Sequence, residues 1–215
     1  MKNGILMTLP ESDDVTKYLS TFSKEIIGVC IYNQIPIKTI EKEKVTKSNV
    51  VSTLKKLDYK MIIFNGHGSP NCIMGHKNEK LILVEENHFL LKNRITYARS
   101  CWSVMELGEK AVERNNGCFI GYRTPFMFII DITRAANPLK DNVAKVFFET
   151  SNLVPIGLIK GHTAEESNEN AKRSMLKSIN KALRKRDKDS QAIAQTLWNN
   201  YVSQEIVGNI EETLI

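Results

Sequence analysis

The sequence predicts an α/β fold: a mostly parallel sheet flanked by helices on both faces, with a C-terminal helical extension. Two observations support this prediction. Short apolar runs alternate with segments of helical periodicity over the first 160 residues. In addition, two of the apolar runs are followed directly by polar tetrads, as expected at the carboxyl ends of parallel strands. We therefore assign residues 1–160 to a core domain and residues 161–215 to an extension packed on it.

The first half of the chain contains alternating strand and helix signals. Apolar runs that end at proline, glycine or polar clusters predict strands, and acidic or hydroxyl residues before periodic segments predict helix starts. The predicted elements are strands over residues 4–9, 35–40 and 61–64, a helix beginning at Asp13 and Asp14, and a helix over residues 49–57 capped by Ser48.

The second half continues the alternation and then becomes helical. A Thr-x-x-Glu capping box at residues 163–166 begins a long basic helix. The predicted elements are a hairpin over residues 72–84, strands over 95–99, 118–122 and 155–159, helices over 104–114, 141–150 and 190–202, and a helix that begins at the capping box and includes Leu183.

Two four-residue segments contain the candidate catalytic residues of this sequence. Asn65-Gly66-His67-Gly68 follows the third predicted strand, and Arg99-Ser100-Cys101-Trp102 ends the strand after the hairpin. If these strands are parallel neighbours, their carboxyl ends bring the His67 imidazole and the Cys101 thiol together. A free thiol is only a few per cent ionised at neutral pH, and a neighbouring histidine raises that fraction. The pattern predicts a cysteine nucleophile with its base.

The glycines around His67 predict the remaining part of such a site. Gly66 and Gly68 lack a Cβ, so a carbonyl substrate can approach the main-chain N–H groups closely. We expect the backbone N–H groups of Gly68 and Cys101 to form an oxyanion hole.

Each residue also has a purely structural interpretation. A single histidine after a strand is commonly a hydrogen-bonded structural residue, and a single cysteine is commonly a small buried apolar residue. His162, which follows Gly161 at a helix start, is the alternative base, and Cys72 is the alternative nucleophile. Their joint placement at two strand ends favours His67 and Cys101.

The sequence resembles the caspase-like cysteine peptidases, a group that includes caspases, gingipains, clostripain, separase and CHAT-domain proteases. The resemblance covers roughly residues 4–160 and rests on the runs Phe64–Ser69, Ala98–Cys101 and Gly117–Tyr122. Its His-Gly-Ser form and the helix predicted directly after the cysteine resemble the gingipain and CHAT branches most, and the caspase motif Gln-Ala-Cys-x-Gly is absent. The resemblance implies a peptidase that attacks a peptide carbonyl through Cys101, with His67 in acid–base roles and no metal or organic cofactor.

The loop after the strand over residues 118–122 is too apolar for an ordinary surface loop. In the related peptidases this loop contributes to primary specificity, which implies a role in the substrate pocket here. Arg123 would suit an acidic substrate side chain, whereas Asp131 would suit lysine or arginine. Alternatively, the two residues pair with each other or face solvent.

Composition narrows the setting. At 215 residues with 42% hydrophobic content, the chain can bury one core domain. The N-terminal apolar run is too short for a signal peptide, and no run is long enough to span a bilayer. The four cysteines have no paired spacing, which argues against a disulfide framework or a zinc site. We expect a cytoplasmic protein that needs no cofactor and contacts no membrane.

Positive charge is concentrated near the C-terminus. Residues 160–188 contain nine Lys or Arg and four acids, whereas the whole chain has a net charge of +6. The segment over residues 172–188 could contact a nucleic acid or an acidic partner through its cations. A solvated helix face is the favoured interpretation, since no aromatic residues are interleaved in this segment.

Three functional classes follow. The leading one is a cysteine endopeptidase acting on protein or peptide substrates, regulated by a partner or effector in a bacterial or archaeal defence or cell-death setting. The second is a catalytically silent, peptidase-like scaffold or binding subunit of a larger complex. The third is an unrelated α/β hydrolase or transferase that uses the thiol on another acyl group.

Overall fold

A computed structural model describes residues 1–112, 117–185 and 189–215. The strands are β1 (Lys2–Leu9), β2 (Ile37–Glu41), β3 (Tyr59–Asn65), β4 (Gly68–Ser69), β5 (Cys72–Met74), β6 (Lys80–Leu83), β7 (Ile95–Arg99), β8 (Cys118–Tyr122) and β9 (Gln204–Gly208). The helices are α1 (Asp14–Tyr32), α2 (Lys47–Leu57), α3 (Glu109–Ala111), α4 (Asn142–Ile159), α5 (Ala164–Lys185) and α6 (Ser190–Ser203).

The central sheet has six strands in the order β2-β1-β3-β7-β8-β9. All neighbouring pairs are parallel except β8 with β9, which are antiparallel. Each parallel connection crosses a face of the sheet, and this places helical segments on both faces. The predicted fold class, a mostly parallel sheet flanked by helices, is confirmed.

Two apolar layers cover the sheet. On one face, α1, α4 and α5 pack against the sheet through residues such as Ile26, Leu158 and Ala171. On the other face, α2, the β5–β6 hairpin and residues 104–112 form a second layer. The strands between them read as continuous apolar runs because both of their faces are buried.

A small antiparallel sheet of β4, β5 and β6 lies between the third strand and β7 in the chain. The predicted hairpin over residues 72–84 is therefore confirmed. Its strand β4 consists of Gly68 and Ser69, which places the residue after His67 in this second sheet.

Helix α2 begins earlier than its sequence predicts. Thr46, and not Ser48, caps it, because the Thr46 hydroxyl accepts a hydrogen bond from the Asn49 N–H. Ser48 lies within the first turn of the helix.

The helix predicted over residues 104–114 is only partly correct. Its apolar face is buried as predicted, but Val104–Gly108 form a π-helical turn and only Glu109–Ala111 are α-helical. The Leu107 N–H bonds to the carbonyl of Pro70, and the Gly108 N–H bonds to the carbonyl of Ser103. These partners widen the turn, as is typical of π-bulges. Residues 113 and 114 lie outside the described residues.

The strand predicted over residues 155–159 is wrong. These residues are the last turns of α4, which extends from Asn142 to Ile159 and contains Pro155. The run is apolar because it is buried among the sheet, α1 and α5. A short apolar run does not distinguish a buried strand from a buried helix.

The segment after residue 160 contains more than helices. The predicted capping box is confirmed: the Glu166 N–H donates to the Thr163 hydroxyl, and the Thr163 N–H donates to the Glu166 carboxylate. After α6 the chain adds β9 to the edge of the central sheet, a strand that the sequence did not predict. The division of the chain at residue 160 remains a prediction, and its later part shares a sheet with the earlier part.

Within the described ranges, none of the helices combines the length and the apolar character needed to cross a bilayer.

Candidate active site

The predicted histidine and cysteine lie beyond the same edge of the central sheet. Strands β3 and β7 are parallel neighbours, and Asn65 pairs in register with Arg99. His67 and Cys101 therefore each follow the paired position by two residues. The carboxyl edge of a parallel sheet is the usual place for ligands in open α/β folds.

The backbone after His67 lies directly against Cys101. A Cβ placed on Gly68 would lie 2.8 Å from the Cys101 carbonyl oxygen and 2.9 Å from the Ser100 Cβ. Gly66 has a φ of +148°, a conformation that L side chains rarely adopt. Gly68 thus allows an approach to Cys101 that a side chain would block, whereas a Cβ at position 66 would meet the Met74 carbonyl oxygen.

Asp13 holds the imidazole of His67. The Asp13 Oδ2 atom lies 2.9 Å from the His67 Nε2 atom. The Asp13 Oδ1 atom accepts a hydrogen bond of 2.7 Å from the Thr16 N–H, because Asp13 also caps α1. Burial alone would raise the pKa of Asp13, but the hydrogen bonds from Thr16 and His67 together outweigh it and hold that pKa below its ordinary value.

The contact with His67 was not predicted for Asp13, which the sequence indicated only as a helix start. Asp13 follows β1, the strand beside β3 in the sheet. The rule that locates His67 and Cys101 at strand ends applies to this loop as well, and it is the signal that could have found Asp13.

Cys101 is half-buried, and its thiol is kept in the neutral form. Burial raises the pKa of the Cys101 thiol, although hydrogen bonds from the backbone of Phe126 and of Cys101 itself partly offset this effect. The thiol is therefore mostly protonated at neutral pH. A base is needed to activate it.

The backbone turns sharply immediately after the thiol. Trp102 has a φ of +55°, an uncommon conformation for a bulky residue. Its N–H is directed to the carbonyl of Thr124 at 3.4 Å, and its side chain is 39% exposed. The loop after β8 therefore runs beside Cys101.

Helix α6 holds this loop on both sides of Phe126. The Asn200 side chain accepts a hydrogen bond from the Met127 N–H at 2.9 Å and donates one to the Met127 carbonyl at 2.6 Å. The Thr124 N–H donates to the Ser203 hydroxyl at 2.9 Å. The sequence contained no signal for these contacts, because they join residues more than 70 positions apart.

Two aromatic side chains of the loop, Phe126 and Phe128, are directed into the protein, whereas Met127 and Ile132 are exposed. Phe126 is buried, and Phe128 packs beside it in an aromatic cluster with Tyr18, Phe22 and Phe148. This packing explains why the loop is more apolar than an ordinary surface loop.

The two charged pocket candidates have other partners. Arg123 forms a bidentate ion pair with Glu205 of β9, with a shortest distance of 2.7 Å, and this pair raises the pKa of Arg123. The Asp131 carboxylate accepts hydrogen bonds from the N–H and hydroxyl of Thr133, which hold the pKa of Asp131 below its ordinary value. Arg123 and Asp131 do not pair with each other in these contacts. A substrate role for either residue remains a prediction.

The alternative candidates occupy different surroundings. His162 is exposed and lies just before α5. The first turn of α5 bonds to Glu212, and Glu212 pairs with Lys60 near the amino end of β3. This contact places the start of α5 at the end of β3 opposite to His67. Cys72 is fully buried, with its sulphur 3.1 Å from the Ser69 hydroxyl. Cys118 is buried, and burial raises its pKa to about 12.

In the part of the chain that the structure describes, no three His, Cys, Asp or Glu side chains are grouped so as to hold a metal ion.

The predicted basic segment lies largely on α5. Arg173, Lys177, Lys181 and Arg184 are exposed along this helix. Lys172 lies 5.3 Å from the centre of the Tyr201 ring, which stacks on Trp198 of α6. Residues 186–188, the last part of the predicted segment, lie outside the described residues. Contact with a nucleic acid or an acidic partner remains a prediction.

The fold is similar to that of gingipain R, a caspase-like cysteine peptidase. The chain matches the complex of Porphyromonas gingivalis RgpB pro- and mature domains with a TM-score of 0.59 and 9% identity. It matches the Arg-specific cysteine proteinase gingipain R (RgpB) with a TM-score of 0.59 and 11% identity. The alignments cover 97% of this chain and 48% and 46% of those chains, so this chain spans about half their length.

The structural match defines the class of fold and leaves the activity to be argued from the site. No family model matches the sequence, and no curated protein matches it.

Proposed function

We propose that this protein is a cysteine endopeptidase in which Cys101 attacks the carbonyl carbon of a peptide bond. The observation that carries the proposal is the arrangement at one sheet edge. Parallel strands β3 and β7 deliver His67 and Cys101, and Gly68 contacts the Cys101 backbone. The Asp13 carboxylate lies 2.9 Å from the Nε2 atom of the imidazole. The similarity in fold to gingipain R supports the same class of activity.

Asp13 assigns different roles to the two nitrogens of His67. A carboxylate at Nε2 favours the tautomer with its proton on that atom, which leaves Nδ1 free to accept a proton. In the proposed mechanism Nδ1 takes the proton of the Cys101 thiol. Because burial raises the pKa of this thiol, proton transfer accompanies the attack.

The remaining steps use the backbone and water. The sulphur forms a bond to the carbonyl carbon, and the negative charge on the oxygen is stabilised by the N–H groups of Gly68 and Cys101. The histidine then gives its proton to the leaving amine as the C–N bond breaks. A water molecule, deprotonated by the same imidazole, hydrolyses the thioester and restores the thiol.

The proposal extends to the setting of the enzyme. Its substrates are proteins or peptides, no cofactor takes part, and a separate protein controls access to the thiol. The support for control is the loop over residues 124–127, which α6 holds beside the half-buried Cys101. A cytoplasmic place in bacterial or archaeal defence or cell death, and kinship with CHAT-domain proteases, rest on the sequence resemblance alone.

A catalytically silent scaffold is the second candidate function. The observation that favours it is the raised pKa of Cys101, since a neutral, half-buried thiol is a poor nucleophile.

Covalent labelling tests both candidates. The protein is treated with peptidyl acyloxymethyl ketones carrying Asp, Arg, Lys or Leu next to the reactive group, and adducts are counted by intact mass. We expect one adduct on the wild type that is lost in Cys101→Ala and in His67→Ala. Cys72→Ala and His162→Ala serve as controls and should retain it.

The pattern of adducts decides between the candidates. An adduct that persists in Cys101→Ala contradicts the assignment of the nucleophile. Absence of any adduct, with the folded state verified by circular dichroism and the labelling repeated on the native complex with its co-purifying partner, favours the scaffold. The side chain that reacts fastest identifies the primary specificity.

A further inference from the structure

Arg99 is fully buried at the carboxyl end of β7, two residues before Cys101. Its guanidinium donates to neutral acceptors from three other elements: Asn65 of β3 at 3.1 Å, Ser151 and Asn152 of α4 at 3.1 and 2.8 Å, and Ser23 of α1. Burial lowers the pKa of Arg99. A buried charge whose direct acceptors are neutral is costly to the fold, and the Glu25 carboxylate, which accepts a hydrogen bond from Asn152, offsets part of that cost.

The contact with Asn65 continues across the sheet. The Asn65 side chain donates to the Thr8 carbonyl at 2.9 Å, and the Asn65 N–H donates to the Thr8 hydroxyl at 3.2 Å. Ser23 also donates to the Asn65 side-chain oxygen, at 3.0 Å. Thr8, Asn65 and Arg99 thus form one hydrogen-bonded row across the carboxyl ends of β1, β3 and β7, which we call the strand-end row.

Each member of the strand-end row precedes a residue of the candidate site. Thr8 is followed by the loop that carries Asp13, and Asn65 and Arg99 each lie two residues before His67 and Cys101. The row therefore connects the three chain segments from which the site is built, one layer beneath it.

We propose that Arg99, through Asn65 and Thr8, is a positioning residue that sets the distance between the Cys101 thiol and the His67 imidazole. This inference rests on the proposed function for its activity measurements. Arginine suits the role because its planar fork donates in several fixed directions, whereas the lysine ammonium is a point charge on a flexible stem. A register error of a fraction of an ångström at these strand ends would separate acid–base partner and nucleophile.

The chain offers a matched control at the other end of the same strand. Arg94 precedes β7, is also buried, and donates to Asp58 at 3.1 Å and to the carbonyl of Leu90 at 3.0 Å. Replacing Arg94 with lysine disturbs β7 by a similar chemical change without touching the strand-end row.

The test compares Arg99→Lys with Arg94→Lys in the full-length protein. We expect Arg99→Lys to lower kcat about tenfold or more while KM changes less than twofold, because substrate contacts are retained and the alignment of reacting groups is lost. Arg94→Lys should lower the melting temperature and leave kcat unchanged. Both variants are assayed at a temperature at which circular dichroism shows them folded.

A second measurement does not depend on peptidase activity. The rate of Cys101 alkylation by iodoacetamide is followed against pH in wild type, His67→Ala and Arg99→Lys. If the row sets the thiol–imidazole distance, Arg99→Lys shifts the profile in the same direction as His67→Ala, and Arg94→Lys retains the wild-type profile.

Milder variants guard against misfolding. Thr8→Val removes one hydroxyl at constant volume, and Asn65→Asp keeps an acceptor for Arg99 but loses the amide donor to the Thr8 carbonyl. We expect a smaller loss of kcat in Thr8→Val, and in Asn65→Asp a shift of the alkylation profile in the same direction as in Arg99→Lys.

The outcomes separate this inference from the proposed function. If the wild type has no peptidase activity but its alkylation profile changes with His67 and Arg99 alike, the proposed function fails and the positioning role remains. If Arg99→Lys raises KM at constant kcat, or lowers activity only as much as Arg94→Lys, the positioning role is wrong.

Discussion

A buried arginine lies at each end of strand β7, and the two arginines have different hydrogen-bond partners. At the amino end, Arg94 pairs with the Asp58 carboxylate and with a backbone carbonyl. At the carboxyl end, Arg99 is buried more deeply and donates to neutral side chains from β3, α1 and α4. Charge compensation stabilises the first, while several oriented hydrogen bonds hold the second.

The difference indicates where the fold serves stability and where it serves the site. Asp58 is more than half exposed, so the Arg94–Asp58 ion pair lies near the surface at the amino end of the sheet and contributes modestly to stability. Arg99 lies beneath the residues that would carry chemistry, where geometry has a greater effect than charge neutralisation. Each of the following variants changes a residue near one end of the sheet and is compared with a matched control.

The largest effect is expected from Gly68→Ala at the carboxyl end. The added Cβ would lie 2.8 Å from the Cys101 carbonyl oxygen and 2.9 Å from the Ser100 Cβ, so the backbone beside the proposed nucleophile must shift. A shift of about 1 Å costs roughly a hundredfold in rate. The measurement is kcat/KM on a peptide substrate found in the labelling experiment.

Gly4→Ala is the matched control at the amino end. Its added Cβ would meet the Tyr59 ring at 2.6 Å, which forces a comparable local adjustment far from the thiol. We expect reduced stability and unchanged kcat/KM. Equal losses of activity in the two variants would contradict the division of roles between the two ends.

The second effect is expected from Asp13→Asn. Asparagine remains a good helix cap, so α1 retains its start. The substitution removes the negative charge of the carboxylate beside the His67 ring. An amide that faces Nε2 as a donor favours the opposite tautomer, which leaves Nδ1 protonated. We expect kcat to fall about tenfold, less than the 10²–10⁴ that general acid–base catalysis contributes as a whole.

The control for Asp13 lies in its other role. Thr16→Val removes the hydroxyl that bonds to Asp13 and leaves the Asp13–His67 contact in place. It should reduce the melting temperature and retain kcat. A fall in kcat for Thr16→Val as large as that for Asp13→Asn would mean that the helix cap determines activity, and not the negative charge of Asp13 beside His67.

The third effect concerns stability at the amino end. Arg94→Met removes the donors to Asp58 and to the backbone carbonyls of Leu54, Tyr59 and Leu90. We expect a loss of about 1–3 kcal/mol in the free energy of unfolding. Urea denaturation measures this value, and Asp58→Asn, which removes only the exposed charge, should cost about 1 kcal/mol or less. A large loss of kcat in folded Arg94→Met would contradict the comparison.

The sequence predicted the carboxyl edge of the sheet better than its surroundings. Local rules identify His67, Gly68 and Cys101, because strand periodicity and adjacent polar residues lie within a few positions of one another. The contacts of Asp13 with His67 and of Asn200 with Met127 span 54 and 73 positions. No local pattern encodes such distances.

Two errors in the fold have the same origin. The run before residue 160 is apolar all round because it is buried on several sides, so periodicity could not separate a helix from a strand. Strand β9 is short and only partly buried, with weak alternation over Gln204–Gly208. Its pairing with β8 depends on tertiary contact that the sequence does not display.

The smallest expected effect is a difference in the pH dependence of alkylation between two cysteines at opposite ends of the sheet. Cys101 lies beyond the carboxyl end of β7, and Cys118 lies at the amino end of β8, where burial raises its pKa to about 12. Burial also raises the pKa of Cys101, so each folded thiol holds its proton above the pH at which an unfolded cysteine loses it. Stability from these neutral thiols is therefore present below the ordinary cysteine pKa and is lost as pH rises above it.

In native protein, we expect iodoacetamide to modify Cys101 increasingly from pH 7 towards alkaline pH, with Cys118 protected until the protein unfolds. Peptide mapping after alkylation measures both sites, and modification of Cys118 before Cys101 would show that the carboxyl end is not the reactive end of the sheet.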